Sequence, residues 1–299
     1  GCWVVKTWMP ATSAGMTKER WAGTKTQTSH ITFLEMPADL YFAFTLIVKM
    51  VVTAAFLLAA TITAERAGPL VGGLVATLPI SAGPVYIFLA LDHDAHFIAQ
   101  SALGSLVTNA YNVIFAVAYA LLAQKRSLVV SFGAAITVWL ALVWAGAAVR
   151  WTNVSAIAFN VVVIGSSLWL SAPLRHAPMP RVRTRWYDLA LRATMVALLV
   201  GVVVTLSFRI GATASGNLAV FPIVLSSIMI ILHHRVGGPA TAAVMANAVV
   251  GLGGFAIAVL VLNLTAETLG SPLALALALL VSLGCNLMIY VVRQRLATT

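Results

Sequence analysis

Two prolines, several small polar residues and one lysine interrupt long apolar stretches of this chain. Pro79 and Pro222 each lie near the middle of a hydrophobic run long enough to cross a membrane as a helix. Because proline removes a backbone donor and frees carbonyl groups of the preceding turn, each helix should open or bend there, the second one only by a kink. Carbonyl, hydroxyl and amide groups would then form a binding site for a small polar solute. The predicted site residues are Pro79, Ser81, Gly83, Pro222, Ser226, Asn109, Asn247 and Lys49.

Lys49 lies several residues inside an apolar run, and Arg192 occupies the corresponding position of a later run. A cation within a membrane span is costly and tends to face protein, water or an anion. Lys49 could attract an anionic solute, or its aliphatic stem could extend along lipid until the ammonium reaches the headgroups. The sequence leaves both interpretations open for Lys49 and favours the second for Arg192.

The segment Asp92-His93-Asp94-Ala95-His96 contains side chains that could bind a metal ion. Polar residues at a helix end more often form a plain aqueous turn, so we predict neither a metal site nor a cofactor. The acidic residues all lie near predicted span ends or in the N-terminal segment. No phosphate-binding, nucleophile-elbow or zinc-protease motif is present, so we do not predict an enzyme.

The composition is that of a polytopic membrane protein. Hydrophobic residues make up 61% of the 299 residues and charged residues 9%, which leaves too little polar surface for a water-soluble globule. The runs lack the alternation of a membrane β-barrel, so the predicted fold is all-α with about nine transmembrane helices. We expect them near residues 42–64, 69–91, 97–123, 127–149, 153–172, 187–208, 212–232, 238–262 and 271–292.

The chain contains a weak internal repeat. AERAGPLVGGLVATLPI at 64–80 and SFRIGATASGNLAVFPI at 207–223 are identical at six of seventeen positions, including Gly, Pro and Arg. Because the repeat offset, from residue 64 to residue 207, crosses five predicted spans, the two copies should enter the membrane from opposite sides. We predict two inverted four-helix repeats at 41–150 and 187–295, joined at 151–186 by a linker helix and a basic cytoplasmic loop. The alternative is chance similarity between apolar segments. Segment 1–40 is predicted to be disordered or an artefact of the reading frame.

Basic residues are distributed unequally between the predicted links, as the positive-inside rule requires. With the residue-40 end outside and the C-terminus in the cytoplasm, the outer links carry only Arg150 and Arg209. Four basic residues of segment 1–40 argue for the opposite orientation and are set aside because that segment is predicted to be disordered or an artefact: Lys6, Lys18, Arg20 and Lys25. The net charge of +10 therefore reflects membrane orientation rather than nucleic-acid binding. The cytoplasmic links carry ten basic residues: Arg66, Lys125, Arg126, Arg175, Arg181, Arg183, Arg185, Arg235, Arg293 and Arg295.

The segment AGPLVGGLVATLPISAGPVYIFLAL resembles the signature stretch of the small GlpM-type bacterial membrane proteins. In that family a Gly-rich start and a mid-helix proline precede an apolar run that ends near a histidine. Here the endings are LDHDAH and ILHHRVGG, and the resemblance covers about forty residues in each half. The second copy departs from the pattern at Ser215 and Asn217. The resemblance implies a fused, inverted duplication and a role connected with export of envelope polysaccharide.

These patterns predict a multi-pass protein of the bacterial cytoplasmic membrane that moves a small polar or anionic solute by alternating access. The alternative is a membrane scaffold or assembly factor for envelope-polysaccharide export. The expected partners are the lipid bilayer and the solute, together with a second copy of the chain or envelope-assembly proteins. No nucleic acid is expected. Asn109 and Asn247 align between the two halves once the preceding loop is shortened by five residues. Such aligned polar groups in corresponding helices favour transport, whereas the lack of an acidic residue in mid-span favours the scaffold.

The inverted arrangement predicts the side of the membrane on which each link lies. Reporter fusions should locate the 92–96 link outside, and the 173–186 link and the C-terminus in the cytoplasm. A result in which 92–96 and 173–186 report the same side would contradict the inversion.

Overall fold

A computed structural model describes residues 37–66, 82–175 and 186–298, and all regular elements in these ranges are helical. A short 3-10 turn at Ala172–Leu174 follows the fifth helix. The helices are α1 (Ala38–Arg66), α2 (Ala82–Asp92), α3 (Ala95–Leu122), α4 (Leu128–Gly146), α5 (Asn153–Leu170), α6 (Trp186–Ala219), α7 (Ile223–Val236), α8 (Gly238–Leu269) and α9 (Ser271–Thr298).

The architecture is that of a multi-pass membrane protein. Within the described ranges, seven segments are long and apolar enough to cross a bilayer. One of them, Trp186–Val236, covers two of the spans predicted from sequence. Large apolar side chains point away from the bundle, and Trp144 and Trp169 are more than 80% exposed. The all-helical membrane fold is therefore confirmed. Of the predicted span at 69–91, the structure describes only residues 82–91.

Helix α3 is the centre of the bundle. It packs against α4, α5, α6 and α8, and most of its side chains are buried. Ala, Ser and Gly occupy many of its positions. Small side chains let helix backbones approach closely, which favours association in a membrane where helix and lipid are equally apolar.

Two central helix pairs run antiparallel. In the α3–α8 pair, Asn263 donates to the carbonyl of Ala99, and Asn109 donates to the carbonyl of Leu252. The residue numbers of the partners on α8 thus fall as those on α3 rise, so the two helices run in opposite directions. In the α1–α6 pair, Met50 contacts Gly201, while Leu57 packs with residues 193 and 196. Helices α3 and α8 begin 143 residues apart, and so do α4 and α9. This separation equals the repeat offset between residues 64 and 207.

Helix α6 is interrupted and differs from the sequence prediction. Gly211 has φ +77°, a conformation available mainly to glycine, and it divides α6 into α6a (186–210) and α6b (212–219). The chain then leaves the helix at 220–222 before α7 begins. The prediction of one kinked helix over 212–232 is therefore wrong. The break has a local cause, because Pro222 has no amide hydrogen with which to continue a helical hydrogen-bond ladder.

Glycine allows α6b to lie directly against α3. A Cβ on Gly216 would collide with the Ser101 carbonyl group, and one on Gly104 would collide with the Thr213 carbonyl oxygen. In both cases the obstacle is backbone, which cannot move aside as a flexible side chain can. The repeat partners of Gly211 and Gly216 are Gly68 and Gly73, which lie outside the described residues.

Gly216→Ala should destabilise the protein because the added methyl group must separate α6b from α3. We expect a loss of about 1–3 kcal/mol, the usual range for overpacking. Gly133→Ala is the matched control, since a Cβ there meets no atom within 4 Å, and the change should be neutral or slightly stabilising. Thermal unfolding of both purified variants tests this. Equal melting temperatures for the two variants would contradict the close contact.

Candidate functional site

Helix α3 presents a polar face to the interrupted helix. Ser101, Ser105, Thr108 and Asn112 follow one another at spacings of four, three and four residues, which aligns them on one side of a helix. Relative exposure is 5% or less for all four residues. Hydroxyl and amide groups at this depth in a membrane protein must find hydrogen-bond partners within the protein.

The partners are mainly backbone carbonyl groups of α6b and of the break after it. Ser101 Oγ donates to Ala212 O at 2.9 Å, and Ser105 Oγ donates to Gly216 O at 2.7 Å. Asn112 Nδ2 donates to Val220 O at 2.7 Å, within the 220–222 break. The last four carbonyls of a helix have no intrahelical partner, and Gly216 O is one of these. Ser105 and Asn112 therefore stabilise the interruption by satisfying carbonyl groups that the broken helix cannot, whereas the Ala212 carbonyl lies in the first turn of α6b.

Thr108 completes the face through Asn217, a residue of α6b. Their side chains are 2.9 Å apart. In the amide orientation that satisfies its surroundings, the Asn217 nitrogen also donates to Gly104 O at 2.9 Å and to Thr213 O at 3.2 Å. Asn217 thus joins α6b to α3 through its side-chain amide.

Asn109 occupies the crossing of α3 and α8. It donates to Leu252 O at 3.1 Å and to Asn160 Oδ1 of α5 at 3.0 Å. Asn109 and Leu252 are 143 residues apart, the same spacing as the weak repeat in the sequence. Asn109 Oδ1 is buried and has no hydrogen-bond partner in the described ranges. This residue thus combines a structural contact with an unused acceptor.

The other predicted site residues do not all lie at the contact between α3 and α6b. Ser226 lies buried in the first turn of α7, with no hydrogen-bond partner for its hydroxyl in the described part of the chain. Asn247 instead donates to Arg175 O, after α5, and to Ala243 O. Gly83 lies in the first turn of α2, with open space beside it. Pro79 and Ser81, both predicted site residues, lie outside the described residues.

The sequence-based pairing of Asn109 with Asn247 is not supported by the helix register. The starts of α3 and α8 match Asn109 with Leu252, whereas Asn247 lies five residues earlier in α8. The five-residue shift assumed from sequence is therefore unnecessary.

Lys49 is neutralised within the protein. Its ammonium group lies 2.6 and 2.7 Å from the two carboxylate oxygens of Asp92, at the end of α2. The Lys49 and Asp92 side chains are 11% and 19% exposed. The Phe88 ring, one turn before Asp92, lies 5.7 Å from the ammonium nitrogen. Neither an unpaired anion attractant nor a snorkelling lysine describes this contact, because the charge is balanced by a carboxylate of the neighbouring helix.

A second ion pair joins the corresponding helices later in the chain with the charges exchanged. Arg235 at the end of α7 lies 2.7 Å from Asp188 near the start of α6. The repeat offset matches position 235 with Asp92. The cation thus lies on the opening helix in the first pair and on the short helix in the second. In both pairs the helix that carries the acid also carries an aromatic ring near the cation, Phe88 in one and Tyr187 in the other.

The histidines after α2 have separate partners. His93 stacks on Phe97 and its Nε2 lies 2.8 Å from Ser207 Oγ. Burial lowers the pKa of His93 below its ordinary value, an effect larger than the opposite influence of the adjacent carboxylates. His96 instead contacts Glu267 on the exposed end of α8. Across the described ranges, no group of three or more His, Cys, Asp and Glu side chains is arranged to hold a metal ion.

Comparison with known protein families, with curated proteins and with solved structures gives no match for this chain. The GlpM-type resemblance therefore rests on the quoted sequence segments alone.

A double-mutant cycle on Lys49 and Asp92 measures their ion pair. Lys49→Gln or Asp92→Asn alone should cost about 1.5–3 kcal/mol, because each leaves a poorly hydrated charge without its counterion. The double variant should be more stable than the sum of the two losses implies. Lys125→Gln, at an exposed lysine, is the control. Additive losses in the unfolding free energy would show that the two groups do not interact.

Proposed function

We propose that this chain is a transporter-like membrane protein built from two inverted four-helix halves with α5 as the linker. The match between helix starts and the repeat offset, the antiparallel α3–α8 and α1–α6 pairs, and the Asn109–Leu252 contact all support this arrangement. Helix α5 packs on both α3 and α8, as a linker near the symmetry axis would. In this proposal α6b and α7 together form one interrupted span, which gives nine spans in all.

The proposed activity is movement of a small polar solute by alternating access across the bacterial cytoplasmic membrane, with the C-terminus in the cytoplasm. The observation that carries it is the 220–222 break, which lies against the polar face of α3. Interrupted helices provide backbone groups for solute binding in many transporters. Asn109 Oδ1 and Ser226 Oγ are also buried, and neither has a hydrogen-bond partner in the described part of the chain.

The contacts of the site favour a neutral solute over an anionic one. Lys49 was the main argument for an anion, and Asp92 balances its charge. The polar face of α3 carries hydroxyl and amide groups and no ionisable side chain. Such groups donate and accept hydrogen bonds without requiring a counterion.

The two ion pairs would act as contacts that close opposite ends of the solute path. In the proposed topology the Lys49–Asp92 pair lies toward the outside and the Asp188–Arg235 pair toward the cytoplasm. Each joins the opening helix of one half to the short helix that follows it. Separation of one pair while the other persists would expose the site to one side at a time.

A membrane scaffold for envelope-polysaccharide export is the second proposal. It is favoured by the number of polar groups along α3 that already have protein partners. A scaffold would use these hydrogen bonds to fix its helices and would need no solute.

Pro222→Ala separates these two proposals. Alanine supplies the missing donor and favours a continuous helix over proline by about 3 kcal/mol, which corresponds to roughly a hundredfold change in the balance between open and continuous forms. Flux of glycerol and urea into proteoliposomes, measured by osmotic light scattering, should therefore fall sharply. Pro239→Ala is the control, because Pro239 lies at the start of α8, where proline is well tolerated.

Wild-type protein that passes neither solute faster than protein-free liposomes would contradict transport of this solute class. Full flux in Pro222→Ala, at normal protein content and stability, would contradict the role of the break.

A further inference from the structure

A small cavity of about 70 Å³ lies between α3, the end of α4 and α6b. Its wall includes aliphatic side chains of α3 and of the link after α4. A single water molecule requires roughly 10–15 Å³ of such space, so the cavity has room for about five waters or one solute of similar size. The residues that matter for recognition are Gly104, Tyr111, Gly146, Trp151, Thr213 and Asn217.

Close helix contacts shape this cavity. Gly146 has no side chain, and the Tyr111 hydroxyl group occupies the position where a Cβ would stand. Trp151 forms another part of the wall, and its indole nitrogen donates to Gly146 O at 3.1 Å. The tryptophan ring is therefore held in place, and two aromatic side chains line an otherwise largely aliphatic wall.

The Tyr111 hydroxyl is the polar group at the cavity with unused hydrogen-bonding capacity. Tyr111 is 3% exposed, and its hydroxyl has no hydrogen-bond partner among the residues that the structure describes. Asn217 adds an amide group to the wall, and its nitrogen donates to α3 and α6b. A hydroxyl can both donate and accept a hydrogen bond, so it is complementary to a solute that carries hydroxyl, amide or carbonyl groups.

We propose that this cavity binds a small neutral polyol or amide of about the size of glycerol or urea. All the lining residues are uncharged, so an ion would lack a counterion there, whereas a neutral solute needs only hydrogen bonds and contact with the aromatic rings. The same helix α6b leads from the cavity at Thr213 to the 220–222 break. The cavity is thus the outer binding position of the solute path, an assignment that rests on the proposed transport function.

Cysteine protection measures binding without requiring transport. Thr213→Cys introduces a thiol on the cavity wall in a background where Cys2 and Cys285 are replaced by serine. Glycerol and urea, each tested alone, should slow modification of this thiol by a maleimide in a saturable manner. Arg126→Cys, at an exposed position in the turn between α3 and α4, is the control and should show no saturable protection.

Tyr111→Phe removes the proposed donor and keeps the ring. Because the hydroxyl has no protein partner in the described ranges, the melting temperature should not fall, while the solute concentration needed for half-protection should rise about fivefold, as expected for loss of one hydrogen bond. Unchanged half-protection in Tyr111→Phe would overturn the assigned role of the hydroxyl. Lack of saturable protection at Thr213→Cys, or equal protection at Arg126→Cys, would overturn the site.

The outcomes separate this site from the transport proposal. Saturable protection in a protein without glycerol or urea flux would support the cavity and contradict transport. Flux that remains normal in Tyr111→Phe, together with unprotected Thr213→Cys, would support transport and overturn the cavity as its binding position.

Discussion

The close contact between α3 and α6b is the constraint on which the rest of the structure depends. Gly104 and Gly216 bring the two backbones together, and hydroxyl and amide groups of α3 then reach the α6b carbonyls. Without that contact the 220–222 break would leave unpaired backbone groups in an apolar environment, where each costs several kcal/mol. The same hydrogen bonds therefore explain both the buried polar face of α3 and the persistence of an interruption beside it.

In the proposed two-repeat arrangement the halves of the chain would share a plan but differ in chemistry. The repeat offset matches the polar face of α3 with Val244, Ala248, Gly251 and Phe255, so that face has no counterpart on α8. The ion pairs differ in another way, because the acid and the base exchange helices between Lys49–Asp92 and Asp188–Arg235. If the protein is a transporter, it would bind its solute mainly through the half that contains α3, because only that half has the polar face.

The sequence predicted the helical membrane fold because composition and long apolar runs depend on few tertiary details. The polar face of α3 could also have been found, since its four residues have regular helical spacing. The Lys49–Asp92 pair could not, because 43 residues separate the partners and only the packing of α1 and α2 against α6 brings them together. Pro222 predicted a disturbance at this point of the helix, but the Asn112–Val220 hydrogen bond could not be predicted because it joins two different helices.

The central claim is that the break at 220–222 belongs to a solute path that opens to both sides of the membrane. Single cysteines at Val220 and Phe221, in a background without Cys2 and Cys285, test it most directly. A membrane-impermeant maleimide is added to right-side-out vesicles and, separately, to inside-out vesicles, with Gly133→Cys on α4 as a control. We expect labelling of the break from both sides and little labelling at position 133. Absence of labelling at both break positions from both sides would contradict a solute path through the break.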